Sequence, residues 1–228
     1  MKQFFSLLSL LSLAAAWPTQ RQVENNTLPS AYTLTAYDPS NSLYNGLKVQ
    51  ISGGWNLFAS SNPSYCPFTG AEASNCPNGT EGVVTGNLYP SSLVPGGQDF
   101  YVRNNGQVQI TVQHSHAIPP DAYPIYQGWY WTALPTPSGY ESNLPGCPGA
   151  SNASFYDCGP PSGFWNFRVQ NQANETVGGL RACPSEFSED GMSVYAVTPH
   201  FNATGCTELA GLGTRNYTGT TPAVWAYY

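Results

Sequence analysis

The sequence predicts an all-β fold, in the form of a single-domain β-sandwich or barrel with disulfide-stapled loops. Short apolar runs alternate with polar residues, and turn clusters of Gly, Pro and Asn separate them, as is typical of such folds. No segment has the 3.6-residue periodicity of a convincing amphipathic helix. The even count of six cysteines adds the expectation of three disulfides.

The first 16 residues have the order of a secretory signal peptide. Lys2 supplies a positive start, an apolar run extends from Phe4 to Ala16, and the run ends in three alanines. It is shorter than the roughly 20 residues that span a bilayer, and no later stretch is apolar enough to do so. We therefore expect a signal peptide at 1–16, a single secreted domain at 17–228 and no membrane span.

Strand-like segments follow one another along the rest of the chain. The predicted strands are Thr33–Tyr37, Leu47–Ile51, Trp55–Phe58, Phe100–Val102, Val108–Val112, Ile125–Trp131, Phe164–Val169, Val194–Val197 and Ala223–Tyr228. The clearest hairpin turns at Asn104–Gly106, because Asn-Gly supplies the positive φ angles of a tight turn. We expect Val108, Ile110 and Val112 to share one face of its second strand.

The surface is predicted to be acidic and lightly charged. Only 9% of the residues are charged, and the net charge is −6, one unit more negative once Lys2 leaves with the signal peptide. Such a surface repels phosphate backbones, so nucleic-acid binding is not expected. It favours basic partners instead, such as the basic antifungal defence proteins of a host.

Cysteines and glycosylation sequons support secretion. Pairing of sequence neighbours predicts the disulfides Cys66–Cys76, Cys147–Cys158 and Cys183–Cys206, among 15 possible schemes. No CxxC motif suggests a zinc site. The six sequons, which predict glycans on surface loops, are at Asn25, Asn78, Asn152, Asn174, Asn202 and Asn216.

Motifs for catalysis or metal binding are weak, so we expect no catalytic residue, no metal and no cofactor. His114 and His116 face the same side if they lie on a strand, and Asp121 or His200 would be a third metal ligand. The alternative, which we favour, is a structural turn. There is no G-x-S-x-G nucleophile motif. The acidic pair Glu189–Asp190 leaves a cryptic glycosidase as a minor alternative.

Aromatic clusters permit two interpretations. Trp129 and Trp131 would share one face of a strand, and Phe164–Trp165 forms a second cluster. These rings are expected in the core more often than on a sugar-binding strip, but both roles remain open. Tyr227 and Tyr228 at the chain end form either an exposed patch or a docked strand.

The segments Val94–Val102 and Gln113–Ala122 resemble a fungal secreted family labelled IgE-binding proteins. That family has a similar V-P-G-G-Q, two strands, then H-S and an I-P turn. The residues that match are Val94, Pro95, Gly96, Gly97, Gln98, His114, Ser115, Ile118 and Pro119. Asp121 departs from the Gly or small polar residue of the family. The cysteine segments are also similar, so the resemblance covers most of the mature chain.

The resemblance implies a protein of fungal culture fluid or of the fungal surface, with no known catalytic activity. Some family members are allergens, and some are elicitors that plants perceive. The expected function is therefore that of a secreted glycoprotein recognised by a host, acting in the apoplast or at the cell wall. Its partner would be an extracellular plant receptor or a basic defence protein. The main alternative is a binder of cell-wall polysaccharide.

Overall fold

The structure is a computed structural model that describes residues 27–58, 63–135, 155–185 and 191–228. Within these ranges the chain is almost entirely β, as the sequence predicts. The strands form curled antiparallel sheets that enclose a common core. One short 3₁₀ helix, Gly70–Asn75, has no buried residue and is closed off by the Cys66–Cys76 disulfide. The predicted signal peptide and the sequon at Asn25 lie outside the described residues.

The largest sheet contains seven of the described strands. Its order from edge to edge is β10 (Trp129–Ala133), β11 (Gly163–Gln170), β16 (Gly211–Asn216), β1 (Ala31–Tyr37), β5 (Val83–Thr85) and β6 (Tyr89–Pro90), with β12 (Thr176–Gly178) paired to the end of β11. Its central strand β1 has the predicted alternation, because Tyr32, Leu34 and Ala36 are buried in the core. The sheet therefore packs one face inward.

Three smaller sheets complete the described fold. The five-stranded sheet has the order β15 (Thr207–Leu209), β13 (Leu180–Pro184), β14 (Met192–Ala196), β3 (Trp55–Leu57) and β2 (Gln50–Ile51). The three-stranded sheet has the order β8 (Val108–Ile110), β7 (Phe100–Val102) and β9 (Tyr123–Pro124), and β4 (Ser64–Tyr65) pairs with β17 (Ala226–Tyr227). Trp55 joins two of these sheets in the core, because its ring packs edge-on against Phe100 at a centroid distance of 5.1 Å.

The predicted hairpin at residues 100–112 is present, but its second strand is shorter than expected. Val108 and Ile110 are buried as predicted, whereas Val112 is 75% exposed. The last backbone bond of the pair runs from the Thr111 N–H to the Asp99 carbonyl, and the strand ends there because a turn then closes from Ser115 N to Val112 O. The prediction that Val112 lies on the buried face is therefore wrong.

Other strand boundaries differ from the predicted ones for local reasons. Regular pairing in the Leu47–Ile51 segment is confined to Gln50–Ile51, although its alternating apolar residues are buried. The Ile125–Trp131 segment turns first, with Gly128 at a φ of 79°, and pairs only over Trp129–Ala133. The last predicted strand is reduced to Ala226–Tyr227.

Two of the three predicted disulfides are fully within the described residues. The Cys66–Cys76 and Cys183–Cys206 bonds are both formed as predicted. Cys158 is also disulfide-bonded, and the predicted partner Cys147 lies outside the described residues. Cross-links of this kind stabilise a fold mainly by restricting the unfolded chain.

Candidate functional site

An open groove lies where the two edges of the largest sheet approach each other. The groove, hereafter the aromatic groove, has a volume of about 400 Å³. Edge strand β10 contributes Trp129, Tyr130 and Trp131, and the opposite edge contributes Asn87 and Tyr89. Trp165 of β11 and three flanking side chains complete the lining, namely Leu28, Ile125 and Tyr126. Both edges line one depression because the sheet curls toward closure.

Strand register explains why two tryptophans serve the core and the groove together. Trp129 pairs with Phe167 and Trp131 with Trp165, so these four side chains lie on the inward face. The Trp129 ring packs edge-on against Trp55 at 5.2 Å and against Phe167 at 5.4 Å. Trp129 and Trp131 are nevertheless only half-buried. The rings are therefore anchored in the core and also line the groove, while the sugar-binding interpretation stays a prediction.

Hydrogen bonds fix the orientation of two groove tryptophans, Trp131 and Trp165, whereas the buried Trp129 Nε1 has no hydrogen-bond partner among the described residues. The Trp131 indole donates from Nε1 to Thr214 Oγ1 at 3.3 Å, and the Trp165 indole donates from Nε1 to the Tyr32 hydroxyl at 3.1 Å. Gly163 lies against the Trp131 ring and leaves no room for a Cβ atom. A rigid aromatic wall of this kind loses little conformational entropy when a ligand packs on it.

The Tyr32 hydroxyl also holds the turn that carries Tyr89. It donates to the Gly86 carbonyl at 2.7 Å and accepts from the Leu88 N–H at 3.3 Å. Leu88 has a left-handed φ of 66° although it is not a glycine, a conformation that persists only where surrounding contacts enforce it. Burial raises the pKa of Tyr32 well above its usual value, so this hydroxyl stays protonated and keeps donating.

A second depression, hereafter the adjoining pocket, continues the groove. It also has a volume of about 400 Å³, and it shares Tyr89, Ile125 and Tyr126 with the groove. Its other lining residues are Asp99, Phe100, His116, Ile118 and Pro124. Tyr89 is 45% exposed and Tyr126 is 74% exposed, so two accessible rings stand at the junction of the two depressions.

The adjoining pocket contains a histidine–carboxylate contact. His116 Nδ1 lies 2.5 Å from Asp99 Oδ2. The hydrogen bond to Asp99 and its negative charge both raise the pKa of His116. No hydrogen bond engages the other carboxylate oxygen, Asp99 Oδ1, among the residues that the structure describes.

The candidate metal ligands are distributed over separate places. His114 has a φ of 60° and its Nδ1 lies 2.8 Å from the Pro95 carbonyl, so it belongs to a turn. His116 contacts Asp99, while Asp121 and His200 line a different, polar depression of about 250 Å³ beside Arg103. In the described ranges, no group of three or more His, Cys, Asp or Glu is arranged to hold a metal ion.

The segment that resembles the fungal family forms a structural clamp. Gln98 is buried, and its Nε2 donates to the carbonyls of Thr111 and Tyr227 at 3.0 and 2.9 Å. Its Oε1 accepts from the Tyr227 N–H at 2.9 Å. Gly96 and Gly97 have the positive φ angles of 80° and 73° that this turn requires. Val94 is buried, whereas Ile118 lines the adjoining pocket and Pro119 lines the polar depression.

The remaining predicted residues lie away from the groove or outside the described chain. Tyr227 is buried and Tyr228 is 54% exposed, so each alternative for the chain end holds for one residue. Phe164 points to the other face of the sheet and stacks on Tyr37. Glu189, Asp190 and the sequon at Asn152 lie outside the described residues. The sequon asparagines within them are all exposed, and none lines the groove or the pocket: Asn78, Asn174, Asn202 and Asn216.

Several groove residues escaped the sequence analysis. Asp99 lies within the segment that resembles the fungal family and Tyr126 within the predicted strand Ile125–Trp131, while Tyr89 has no motif around it, and none of the three is predicted as a site residue from the sequence. The only sequence signal would have been the excess of tyrosine in loops, with 15 tyrosines in the chain.

The fold and the site define a disulfide-bonded all-β protein with an aromatic surface groove. The chain is 30% identical over 226 residues to a protein of Arthroderma benhamiae (strain ATCC MYA-4681 / CBS 112371) named "Uncharacterized secreted protein", and the match covers 97% of this chain and 95% of the relative. The chain therefore belongs to the family of this secreted fungal protein. No family model and no solved structure matches it. Over the described residues, no helix has the length and apolar character needed to cross a membrane.

Proposed function

We propose that this secreted fungal protein acts by binding, not by catalysis, and that its aromatic groove binds a neutral polysaccharide chain. The observation that carries the proposal is the convergence of Trp129, Trp131 and Tyr89 from opposite sheet edges on one open depression. The C–H face of a sugar ring packs on such rings, and a depression lined by convergent aromatic side chains is a common form of ligand site. The adjoining pocket lengthens this surface, as a linear chain requires.

The charges of the site favour a neutral ligand. Among the described residues, no lysine or arginine lines the groove or the adjoining pocket, and Asp99 is the carboxylate that does. The chain as a whole carries a net charge of −6. Acidic polysaccharides would therefore meet repulsion without a compensating cation.

The same lining supports binding over hydrolysis. Glycosidases use two carboxyl groups about 5–10 Å apart, and one carboxylate, Asp99, lines the described groove and pocket. Its neighbour His116 restrains it on one side. A site with aromatic walls and a single restrained carboxylate holds a chain without cleaving it.

Affinity electrophoresis in gels that contain a soluble neutral β-glucan or an acidic polygalacturonate tests the proposal. We expect the glucan to retard the wild-type protein, and we expect Trp131→Ala and Tyr126→Ala each to weaken binding about tenfold. Tyr65→Ala is the matched control, because this exposed tyrosine packs with Tyr228 outside the groove. Retardation that survives both groove substitutions, or no retardation by any neutral polysaccharide, contradicts the proposal.

Recognition by a host is a second candidate function. The protein would then act in the apoplast as an elicitor or effector, as the resemblance to the IgE-binding family implies. The observation in its favour is the exposed apolar surface at Leu93 and Val112, which flank the Gln98 clamp. A host receptor can contact these side chains directly, and the acidic surface suits a basic defence protein.

Leaf infiltration with native protein, boiled protein and a peptide of residues 94–122 tests host recognition. We expect a response to the native protein only, because Val94 and Gln98 take their backbone and side-chain partners from residues 225–227. A separate assay for released reducing sugar checks the glycosidase alternative. A response to Leu93→Asp and Val112→Asp protein equal to the wild type would contradict this surface as the epitope.

A further inference from the structure

We propose that the adjoining pocket is a subsite for the acetamido group of an N-acetylhexosamine unit, so that the preferred ligand is a chitin-type chain. This inference rests on the proposed function, since it assigns the sugar class bound by the same groove. The pocket continues the groove through Tyr89 and Tyr126. A chain lying on the groove therefore projects ring substituents into the pocket.

The pocket combines a hydrogen-bond acceptor with apolar walls. Asp99 Oδ1 has no hydrogen-bond partner among the described residues, whereas Oδ2 is engaged by His116. Ile118, Pro124 and Ile125 line the same space. An acetamido group presents an N–H donor and a methyl group next to each other, which matches an acceptor beside an apolar wall.

The contact between His116 and Asp99 disfavours a free ammonium group. Below the raised pKa of His116, the imidazolium neutralises the carboxylate, so the pair carries no net charge. The other titratable groups that line the pocket are the phenols of Tyr89 and Tyr126. A neutral amide donor fits this pair, while an ammonium would meet the positive imidazolium as well as the carboxylate. His116 thus acts as a positioning residue for Asp99.

The two exposed tyrosines give the subsite a platform. Tyr89 follows the turn held by the Tyr32 hydroxyl, and Tyr126 stands at the opposite side of the junction. Both phenols line the same pocket as Asp99, so a sugar ring packed on either one lies in the pocket that Asp99 lines. The platform itself does not distinguish glucose from its N-acetylated derivative, so discrimination falls to Asp99 and the apolar wall.

Calorimetric titration of the mature protein at pH 5 with three hexasaccharides tests the subsite. The ligands are chitohexaose, its fully deacetylated form and cellohexaose. We expect chitohexaose to bind about fivefold more tightly than cellohexaose, because its acetamido methyl buries apolar surface that the C2 hydroxyl of cellohexaose lacks, although both groups carry a hydrogen-bond donor. We expect Asp99→Ala to weaken chitohexaose binding more than cellohexaose binding, because the packing of the acetamido methyl on the apolar wall positions the amide N–H against Asp99. His200→Ala, an exposed histidine of the polar depression, is the control and should change neither.

The outcomes separate this inference from the proposed function. If chitohexaose and cellohexaose bind equally and Trp131→Ala abolishes binding of both, the acetamido subsite is contradicted but the groove remains the binding site. If the deacetylated ligand binds most tightly, the acetamido interpretation is contradicted and the pocket is instead a site for a cationic group. An Asp99→Ala variant that weakens both ligands equally also overturns it. Failure of all three ligands to bind contradicts the groove itself. A loss of chitohexaose preference in His116→Ala as well as in Asp99→Ala supports the positioning role.

Discussion

At the scale of single residues, Tyr32 connects the core to the candidate site. Its hydroxyl contacts Gly86, Leu88 and Trp165 from a fully buried position. Two of these partners set the turn before Tyr89, and the third is a groove tryptophan. One buried hydroxyl therefore links the turn before Tyr89 to Trp165 of β11, the strand next to edge strand β10.

Replacing Tyr32 with Phe is expected to lower the free energy of unfolding by about 3 kcal/mol, because it leaves the Leu88 and Trp165 N–H groups buried without an acceptor. Urea denaturation followed by tryptophan fluorescence measures this change. Tyr101→Phe is the matched control, since its hydroxyl bonds the partly buried Gln109 side chain on the hairpin. An unchanged unfolding midpoint for Tyr32→Phe would contradict the positioning role.

His116 predicts a pH-dependent contribution to stability. Its pKa in the folded protein is raised above the unfolded value near 6.5 by Asp99. The contact therefore stabilises the fold fully below about pH 6.5 and is lost as the pH rises through the folded pKa. We expect His116→Ala to lower the melting temperature at pH 5 and to match the wild type at pH 9, with His200→Ala unchanged at both. A deficit of the same size at pH 9 would show that His116 acts by packing alone.

At the scale of elements, the Gln98 side chain replaces a missing strand neighbour for β17. Its amide bonds both the N–H and the carbonyl of Tyr227, the pattern that a backbone would supply. Tyr227 in turn places its buried hydroxyl against the N–H of Val83 in the largest sheet. The segment that resembles the fungal family therefore holds strand β17 in place through the Gln98 side chain.

Gln98→Ala is expected to destabilise the protein by about 3 kcal/mol, since three buried hydrogen bonds are lost together. Hydrogen exchange should then report faster exchange at Val94 and Tyr227, whose amides lie in this region. Gln113→Ala is the matched control, expected within about 0.5 kcal/mol of wild type because its side chain makes no hydrogen bond in the described structure. Retained protection at Tyr227 in the Gln98 variant would refute the clamp.

The sequence predicts elements well where alternation and turn chemistry agree. Strand β1, the hairpin around Asn105–Gly106 and strand β11 are present close to their expected positions. Strand β16 was missed because its glycines oppose strand propensity. There, Gly211 makes room for the Phe164 ring, so neighbouring side chains supply the packing that glycine lacks.

At the scale of the whole molecule, the fold class follows from the sequence but the groove does not. Trp129 and Trp131 were recognised as candidates for both core and sugar contact. Tyr89 and Asp99 precede Trp129 by 40 and 30 residues, whereas Tyr126 is three residues before it, and only the folded structure shows that all three line the groove or the adjoining pocket. Local patterns carry no information on which loops meet, so this part of the site required the structure.

The core and the groove depend on one another across sheets. Trp129 of the largest sheet packs on Trp55 of the five-stranded sheet, which packs on Phe100 of the three-stranded sheet. Phe100 also lines the adjoining pocket. A continuous series of aromatic contacts therefore links the groove to the adjoining pocket through the core.

The most direct test of the groove is the NMR response of the six tryptophan indole N–H signals to a neutral oligosaccharide. If the groove binds the chain, titration with chitohexaose or cellohexaose shifts the signals of Trp129 and Trp131. The signal of Trp225, which packs with Phe68 away from the groove, serves as the internal reference and stays in place. Saturating ligand that shifts Trp225 while leaving Trp129 and Trp131 unchanged, or that shifts none of the three, would contradict the aromatic groove as the binding site.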